Sequence, residues 1–286
     1  MTPSVWTDYF RWIPPEEGVL ALQAAGFSAT EISTGSSREL RARGSDYEKI
    51  GNQFRSFLDS VGFSVPQGHL AIKSELATRE GTEELKREIN MFQAMGVKNA
   101  VIHINGGWEL SEEARMELQL KHMQELLEQV KGTDFVLCLE NLRSNPAVAD
   151  ADKILHWIAL LGDKNLGICL DTGHLHTTNI TLQTSNQTQE EFILKAGSRL
   201  KALHINGNDG TDDYHLSPFS IKNSIDWAEV VSTLREIGYN GLFNLEIPGE
   251  IAGSPPLYIL KRKLLYIKDM IDYMLSDQFP TQHIGE

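Results

Sequence analysis

The sequence predicts a (β/α)8 barrel, a single α/β domain spanning residues 1–286. Three observations predict it. Eight short β-branched or apolar runs alternate with eight longer amphipathic segments, the pattern of a parallel sheet with crossover helices. Eight strand–helix units close a barrel, and 286 residues suit one large domain of that kind. A doubly wound open sheet is the rival. It would carry a Gly-rich phosphate turn after the first strand, whereas that strand here runs into Thr7-Asp8-Tyr9-Phe10.

The strand-like runs occupy residues 4–6, 30–33, 64–69, 100–104, 135–141, 166–171, 202–206 and 242–247. The helix-like segments occupy residues 16–25, 46–61, 82–95, 112–130, 151–161, 189–197, 227–237 and 257–275. The first helix follows Pro14 and Pro15, which fit an opening turn. Gly26, Gly62, Gly96 and Gly238 stand where helices should stop. Residues 34–44 read as the loop after strand two, and residues 177–189, rich in Thr, Asn and Gln, as a surface loop. The tail 280–286 reads as frayed.

Apolar residues make up 41% of the chain and charged residues 23%, ordinary for a soluble globular protein. No apolar run reaches the length of a membrane span, and the first ten residues lack a signal-peptide pattern. Cys138 and Cys169 each lie in an apolar run, which predicts reduced thiols and a cytoplasmic location. The net charge of −13 argues against a general polyanion binder, although Arg38, Arg41 and Arg43 cluster after strand two.

The chemistry sits at the strand ends. Six runs end in a metal-capable residue: His69, His103, Glu140, Asp171, His204 and Glu246. Successive members are separated by roughly 30 to 40 residues, about one strand–helix unit, so each should recur at the same height one strand further round. Side chains two apart share a face. Gln67, Val101, Cys138, Cys169, Ala202 and Asn244 should therefore line the interior beneath them, while Ile102, Leu139, Leu170, Leu203 and Leu245 pack outward. Beyond the strand ends lie His174, Asp213 and His215, making nine candidate ligands. Mixed imidazole and carboxylate donors suit Zn²⁺, Mn²⁺, Fe²⁺ or Co²⁺ better than Ca²⁺, with one to three ions accommodated. Trp108 and Arg143, just after strands four and five, are candidate substrate contacts.

These residues carry a family resemblance over nearly the whole chain. Glu140-Asn141, Asp171-Thr172-Gly173-His174, the stretch from His204 through Asp213-Tyr214-His215, Ile225-Asp226-Trp227 and Gly238-Tyr239-Asn240-Gly241 resemble the xylose-isomerase-like TIM barrel superfamily. It includes sugar phosphate isomerases and epimerases, inosose dehydratases and the second family of AP endonucleases. In its isomerase branch, residues matching Glu140, Asp171, His204 and Glu246 bind one metal, and the two glutamates shuttle a proton. Endonuclease IV resembles the chain at all nine positions and uses three zinc ions to hydrolyse a DNA phosphodiester. Ketose epimerases of the superfamily carry an acidic residue and an Arg soon after the seventh-strand His. Here Ile205-Asn206-Gly207-Asn208-Asp209 lacks the Arg, which points away from a simple ketose 3-epimerase.

The resemblance implies a divalent-metal-dependent isomerase or epimerase of a small sugar, keto-sugar, polyol or sugar phosphate, with Glu140 and Glu246 as catalytic residues. The alternative is a multi-metal phosphodiesterase acting on abasic DNA. The expected partner is a small-molecule sugar or polyol; a second copy of the chain (homo-oligomer) and nucleic acid stay open, and a membrane is not expected.

Overall fold

The computed structural model describes residues 1–222, 224–249 and 256–280. Eight parallel strands form the ring: β1 (Thr2–Val5), β2 (Ala29–Ile32), β3 (Ser64–His69), β4 (Asn99–Ile102), β5 (Val136–Glu140), β6 (Leu166–Asp171), β7 (Leu200–His204) and β8 (Leu242–Leu245). Hydrogen-bonded ladders run from β2 through β7 in sequence order, and β1 pairs with β8. The β7–β8 step is closed by Ile205 N donating to Asn244 O (2.8 Å) and Glu246 N donating to Ile205 O (3.1 Å). No ladder joins β1 to β2 among the described residues. That step is closed by side chains: Thr30 Oγ1 donates to Val5 O, and Ser33 N donates to Thr7 Oγ1 at 2.9 Å. The barrel expected from the sequence is thus present, and the open-sheet rival is excluded.

Around the ring lie α1 (Pro15–Ala24), α2 (Thr34–Arg41), α3 (Tyr47–Val61), α4 (Arg79–Met95), α5 (Glu112–Val130), α6 (Ala151–Leu161), α7 (Thr172–Thr177), α8 (Gln189–Ala196), α9 (Trp227–Glu236) and α10 (Leu257–Leu275). Local chemistry sets their ends. Asp46, Thr78, Ser111, Asp150 and Asp226 cap their helices by accepting a backbone N–H. Gly62 and Gly96 close α3 and α4 with φ of 64° and 99°, values costly for any other residue.

Two expected loops are corrected. Residues 34–44 contain α2, because the Ser33 hydroxyl accepts Ser36 N and Leu40 packs into the core. Two of its basic residues are held in ion pairs: Arg41 by Glu84 (2.6 Å) and Glu88 (3.5 Å), Arg43 by Glu16 (2.5 Å). Likewise, the stretch 177–189 begins with the end of α7 and a π-helical turn, Thr178–Leu182. Of the tail 280–286, residues 281–286 lie outside the described residues. No described helix is long and apolar enough to cross a membrane.

The core divides as the alternation predicts. Ile102, Leu139, Leu170, Leu203 and Leu245 belong to the large core between strands and helices. Val101, Cys138, Cys169 and Ala202 form a separate cluster. Both cysteines are free and buried. On the other side of the ring the strands also bury polar residues: Ser4, Glu31, Gln67 and Asn244.

Candidate metal centre

The carboxyl ends of the strands bring the predicted residues together. His69, Glu140, Asp171 and His204 are the last residues of β3, β5, β6 and β7, while His103 and Glu246 lie one residue past β4 and β8. All but His103 are buried. Their heights are staggered, which corrects the expectation of a single level. Asp171 is level with His204, but Glu140 is level with Cys169 and His69 with Val101. Tilted strands in a closed barrel must slip in register, so ligands from successive strands climb through more than one layer.

Glu140 is the hub. Its Oε2 lies 2.7 Å from His103 Nε2 and 3.4 Å from His69 Nε2. Its Oε1 lies 3.2 Å from His204 Nδ1 and 3.4 Å from His174 Nδ1. Glu246 Oε2 approaches the same His204 Nδ1 at 3.2 Å, outside hydrogen-bonding geometry. Asp171 accepts from His174 N (2.7 Å) and from Asn206 Nδ2 (2.9 Å). In the loop after β7, Asp213 lies between two imidazoles, His174 Nε2 and His215 Nε2, each at 3.3 Å.

Three donor groups result, each with ligand atoms within 4.8 Å of one another: Glu140–Asp171–His204–Glu246, His69–Glu140–His204, and His174–Asp213–His215. Whether they suit a cation is tested by the rings. A metal-binding histidine ties one nitrogen to a carbonyl or carboxylate and aims the other at the ion. His69 Nδ1 lies 2.8 Å from Leu70 O, His174 Nδ1 2.9 Å from Asn141 O, and His215 Nδ1 2.8 Å from Glu246 O. For His204 the tied nitrogen is Nε2, 3.0 Å from Glu31 Oε2. Each second nitrogen faces a carboxylate of the donor groups. Buried Glu246 Oε2 and Asp213 Oδ1 have no hydrogen-bond partner. Such a set fits a divalent cation of the borderline transition series.

Without a cation, protons take its place. Burial opposes the imidazolium of His215, but Glu246, Asp213 and Asp171 outweigh it and raise its pKa to about 10. His174 rises well above its ordinary value for the same reason, with Asp171 the strongest attraction. Burial pushes Glu246 up to about 8 against the pull of His204 and His215. Burial also opposes ionisation of Glu140, yet His204 and His103 hold its carboxyl well below the usual range.

Trp108 and Arg143 do not join the donor groups. Trp108 is half exposed, with the Arg115 guanidinium 4.8 Å from its ring centre. Arg143 pairs with Asp212 at 2.5 Å and so braces the loop that carries Asp213 and His215. Three buried residues escaped the sequence reading of the site. Asn141 clamps β5 to β6, donating to Asp171 O (2.9 Å) and accepting from Asp171 N (2.7 Å). Asn206 holds Asp171, and Glu31 on β2 reaches His204. The signal for the asparagines is position, one or two residues after a ligand. For Glu31 it is a carboxylate within an otherwise buried strand, which needs a partner.

The family model described as xylose isomerase-like TIM barrel matches residues 19–270. A D-psicose 3-epimerase of Enterocloster bolteae is 25% identical over 240 residues, 79% of this chain and 74% of that protein. A probable endonuclease 4 of Ureaplasma parvum is 28% identical over 130 residues, covering 43% of each chain. Among solved structures, a D-psicose 3-epimerase with D-tagatose from Clostridium cellulolyticum superposes with a TM-score of 0.76 at 17% identity, over 96% of this chain and all (100%) of that one. The 3-keto-D-glucoside 4-epimerase YcjR of E. coli gives 0.72 at 16% identity, over 94% and 99%. The chain belongs to the xylose isomerase-like TIM barrel family.

Proposed function

We propose that the protein is a divalent-metal-dependent isomerase or epimerase of a small sugar, keto-sugar, polyol or sugar phosphate. The observation that carries this reading is the approach of Glu140 and Glu246, from β5 and β8, to one nitrogen of His204 at 3.2 Å each. Two carboxylates flanking one ligand nitrogen can serve the two faces of a substrate carbon. Glu140, Asp171, His204 and Glu246 would hold the ion; His69, His103, His174, Asp213 and His215 would hold further ions or substrate hydroxyls. When bound, a Zn²⁺, Mn²⁺, Fe²⁺ or Co²⁺ ion there would supply Lewis acidity for a substrate carbonyl and its neighbouring hydroxyl. One glutamate takes the proton from the adjacent carbon, and the other returns a proton to it. The similarity to a D-psicose 3-epimerase over most of both chains supports this reading over the similarity to endonuclease 4, which covers less than half. Incubation with ketoses and sugar phosphates in deuterated water, with Mn²⁺ or Co²⁺ added, tests it. Product carrying deuterium at one carbon is expected, and turnover without exchange would point to a hydride shift.

A second reading has its own observation, the complete His174–Asp213–His215 group beside the first two. Three ions so placed would suit a phosphodiesterase on abasic DNA. Against it, Arg41, Arg43 and Arg143 are already paired with carboxylates. Elemental analysis and a duplex containing an abasic site decide between the readings. About three ions per chain with efficient strand cleavage would replace the sugar reading.

A further inference from the structure

One buried acid beside the site has no part in the reading above. Glu31 is fully buried in β2, opposite Gln67 of β3 in the ladder. Its Oε2 lies 3.0 Å from His204 Nε2 and also accepts the side-chain N–H of Gln67. We propose that Glu31 is a positioning residue: it holds a proton on His204 Nε2 and so turns the Nδ1 lone pair toward Glu140 and Glu246. The inference rests on the metal-dependent reading of the site.

The argument is one of donors and acceptors. A carboxylate accepts and does not donate, so the N–H between His204 and Glu31 belongs to the imidazole. Nδ1 is then the nitrogen left for a cation, and two carboxylate oxygens already stand 3.2 Å from it. Three acceptors converging on one point repel each other until a cation or proton lies among them. Turning the ring over would put Cδ2 and Cε1 where Nδ1 and Nε2 now meet carboxylates, and His69 stacks on the present orientation, with centroids 5.4 Å apart and planes within 11°. Gln67 fixes Glu31 in turn, and its amide also lies 3.3 Å from Leu203 O, the residue before His204. A carboxylate on the far nitrogen of a ligating imidazole orients the ring and strengthens it as a donor. A purely fold-stabilising ion pair would leave cation affinity unchanged, and that difference is measurable.

The test compares wild type, Glu31→Ala and Glu31→Gln, each checked for folding by circular dichroism. Zn²⁺ affinity is read by competition with a chelating indicator, and the His204 tautomer by long-range proton–nitrogen correlation spectra of the zinc-loaded protein. Wild type should show His204 protonated at Nε2. Glu31→Ala should lose roughly 10- to 100-fold in affinity and show a changed His204 pattern. Glu31→Gln keeps an acceptor, so it should retain the tautomer with a smaller loss. An alanine variant with wild-type affinity and an unchanged His204 spectrum, but a lower melting temperature, would reduce Glu31 to a structural role. If the alanine variant does not fold, the glutamine variant decides, and unaltered affinity there overturns the proposal. A wild type that binds no divalent ion removes both readings. One that binds ions but turns over no sugar removes only the sugar reading.

Discussion

Asp171→Asn separates the two tasks of one buried carboxylate. Asp171 is fully buried and makes two hydrogen bonds with separate oxygens: Oδ1 accepts His174 N, and Oδ2 accepts Asn206 Nδ2. Asparagine caps a helix as well as aspartate, so the first bond survives if the amide oxygen faces His174. The amide nitrogen then confronts Asn206 Nδ2, donor against donor. The metal-free protein loses one charge-assisted bond, about 1.5–3 kcal/mol. At roughly 2–4 °C per kcal/mol for a chain approaching this size, the melting temperature should fall by roughly 3–12 °C. A neutral amide is also a poor ligand, so the stabilisation gained on adding Zn²⁺ or Mn²⁺ should shrink. Thermal melts with and without metal read both effects. Adding Asn206→Asp restores an acceptor opposite the new amide and should recover part of the metal-free melting temperature. If metal-free Asp171→Asn melts with wild type, the hydrogen-bond argument fails. If it keeps the full metal-induced shift, Asp171 is not a ligand.

Three further predictions follow from the same geometry. Glu140→Gln and Glu246→Gln should each lower kcat by about 10²–10⁴, or about 2.7–5.5 kcal/mol of barrier, and stop deuterium incorporation; a variant within threefold of wild type would exclude that glutamate from proton transfer. In the metal-free protein Glu246 and His215 titrate near 8 and 10, both raised, so their stability contributions are present below their unfolded pKa values and lost as pH rises through about 8 and about 10. Metal must displace those protons, so its affinity should rise across the same window, with proton release at pH 7 seen by calorimetry in buffers of different ionisation enthalpy; equal heats in all buffers would contradict this. Gly68→Ala puts a Cβ 2.7 Å from Phe92 Cε2 and 2.8 Å from Ile32 Cγ2, so the denaturation midpoint should report about 1–3 kcal/mol of overpacking beside His69.

The sequence displays the rim because two periodicities coincide there. The strand–helix beat returns a metal-capable residue at six of the eight strand ends, and the two-residue alternation separates Leu139, Leu170 and Leu203 from Cys138, Cys169 and Ala202. What it hides is three-dimensional. Register stagger is a property of closure and leaves no mark on spacing, so Glu140 and Asp171 look level in sequence and are not. Glu31 sits below a strand end, where a search of strand ends does not reach. The stretch Thr34-Gly35-Ser36-Ser37 has the composition of a turn, yet Ser33 caps it and Leu40 anchors it as α2. Arg41 and Arg43 read as part of a basic patch because their partners Glu16, Glu84 and Glu88 are distant in sequence or on other helices.

The side-chain closure between β1 and β2 has a mechanical consequence. Elsewhere around the ring, strand spacing is dictated by peptide geometry. Here it depends on two hydroxyls, Thr30 and Thr7, which make single side-chain bonds in place of a ladder. The hoop therefore has one expansion joint, and Glu31 lies in the strand that forms one lip of it. Swelling or tightening of the mouth as it fills would be taken up there without breaking a ladder. Hydrogen exchange with and without added metal reads this directly: the amides of β1 and β2 should change protection more than those of β5 and β6, and an even change around the ring would show that the joint is as stiff as the rest.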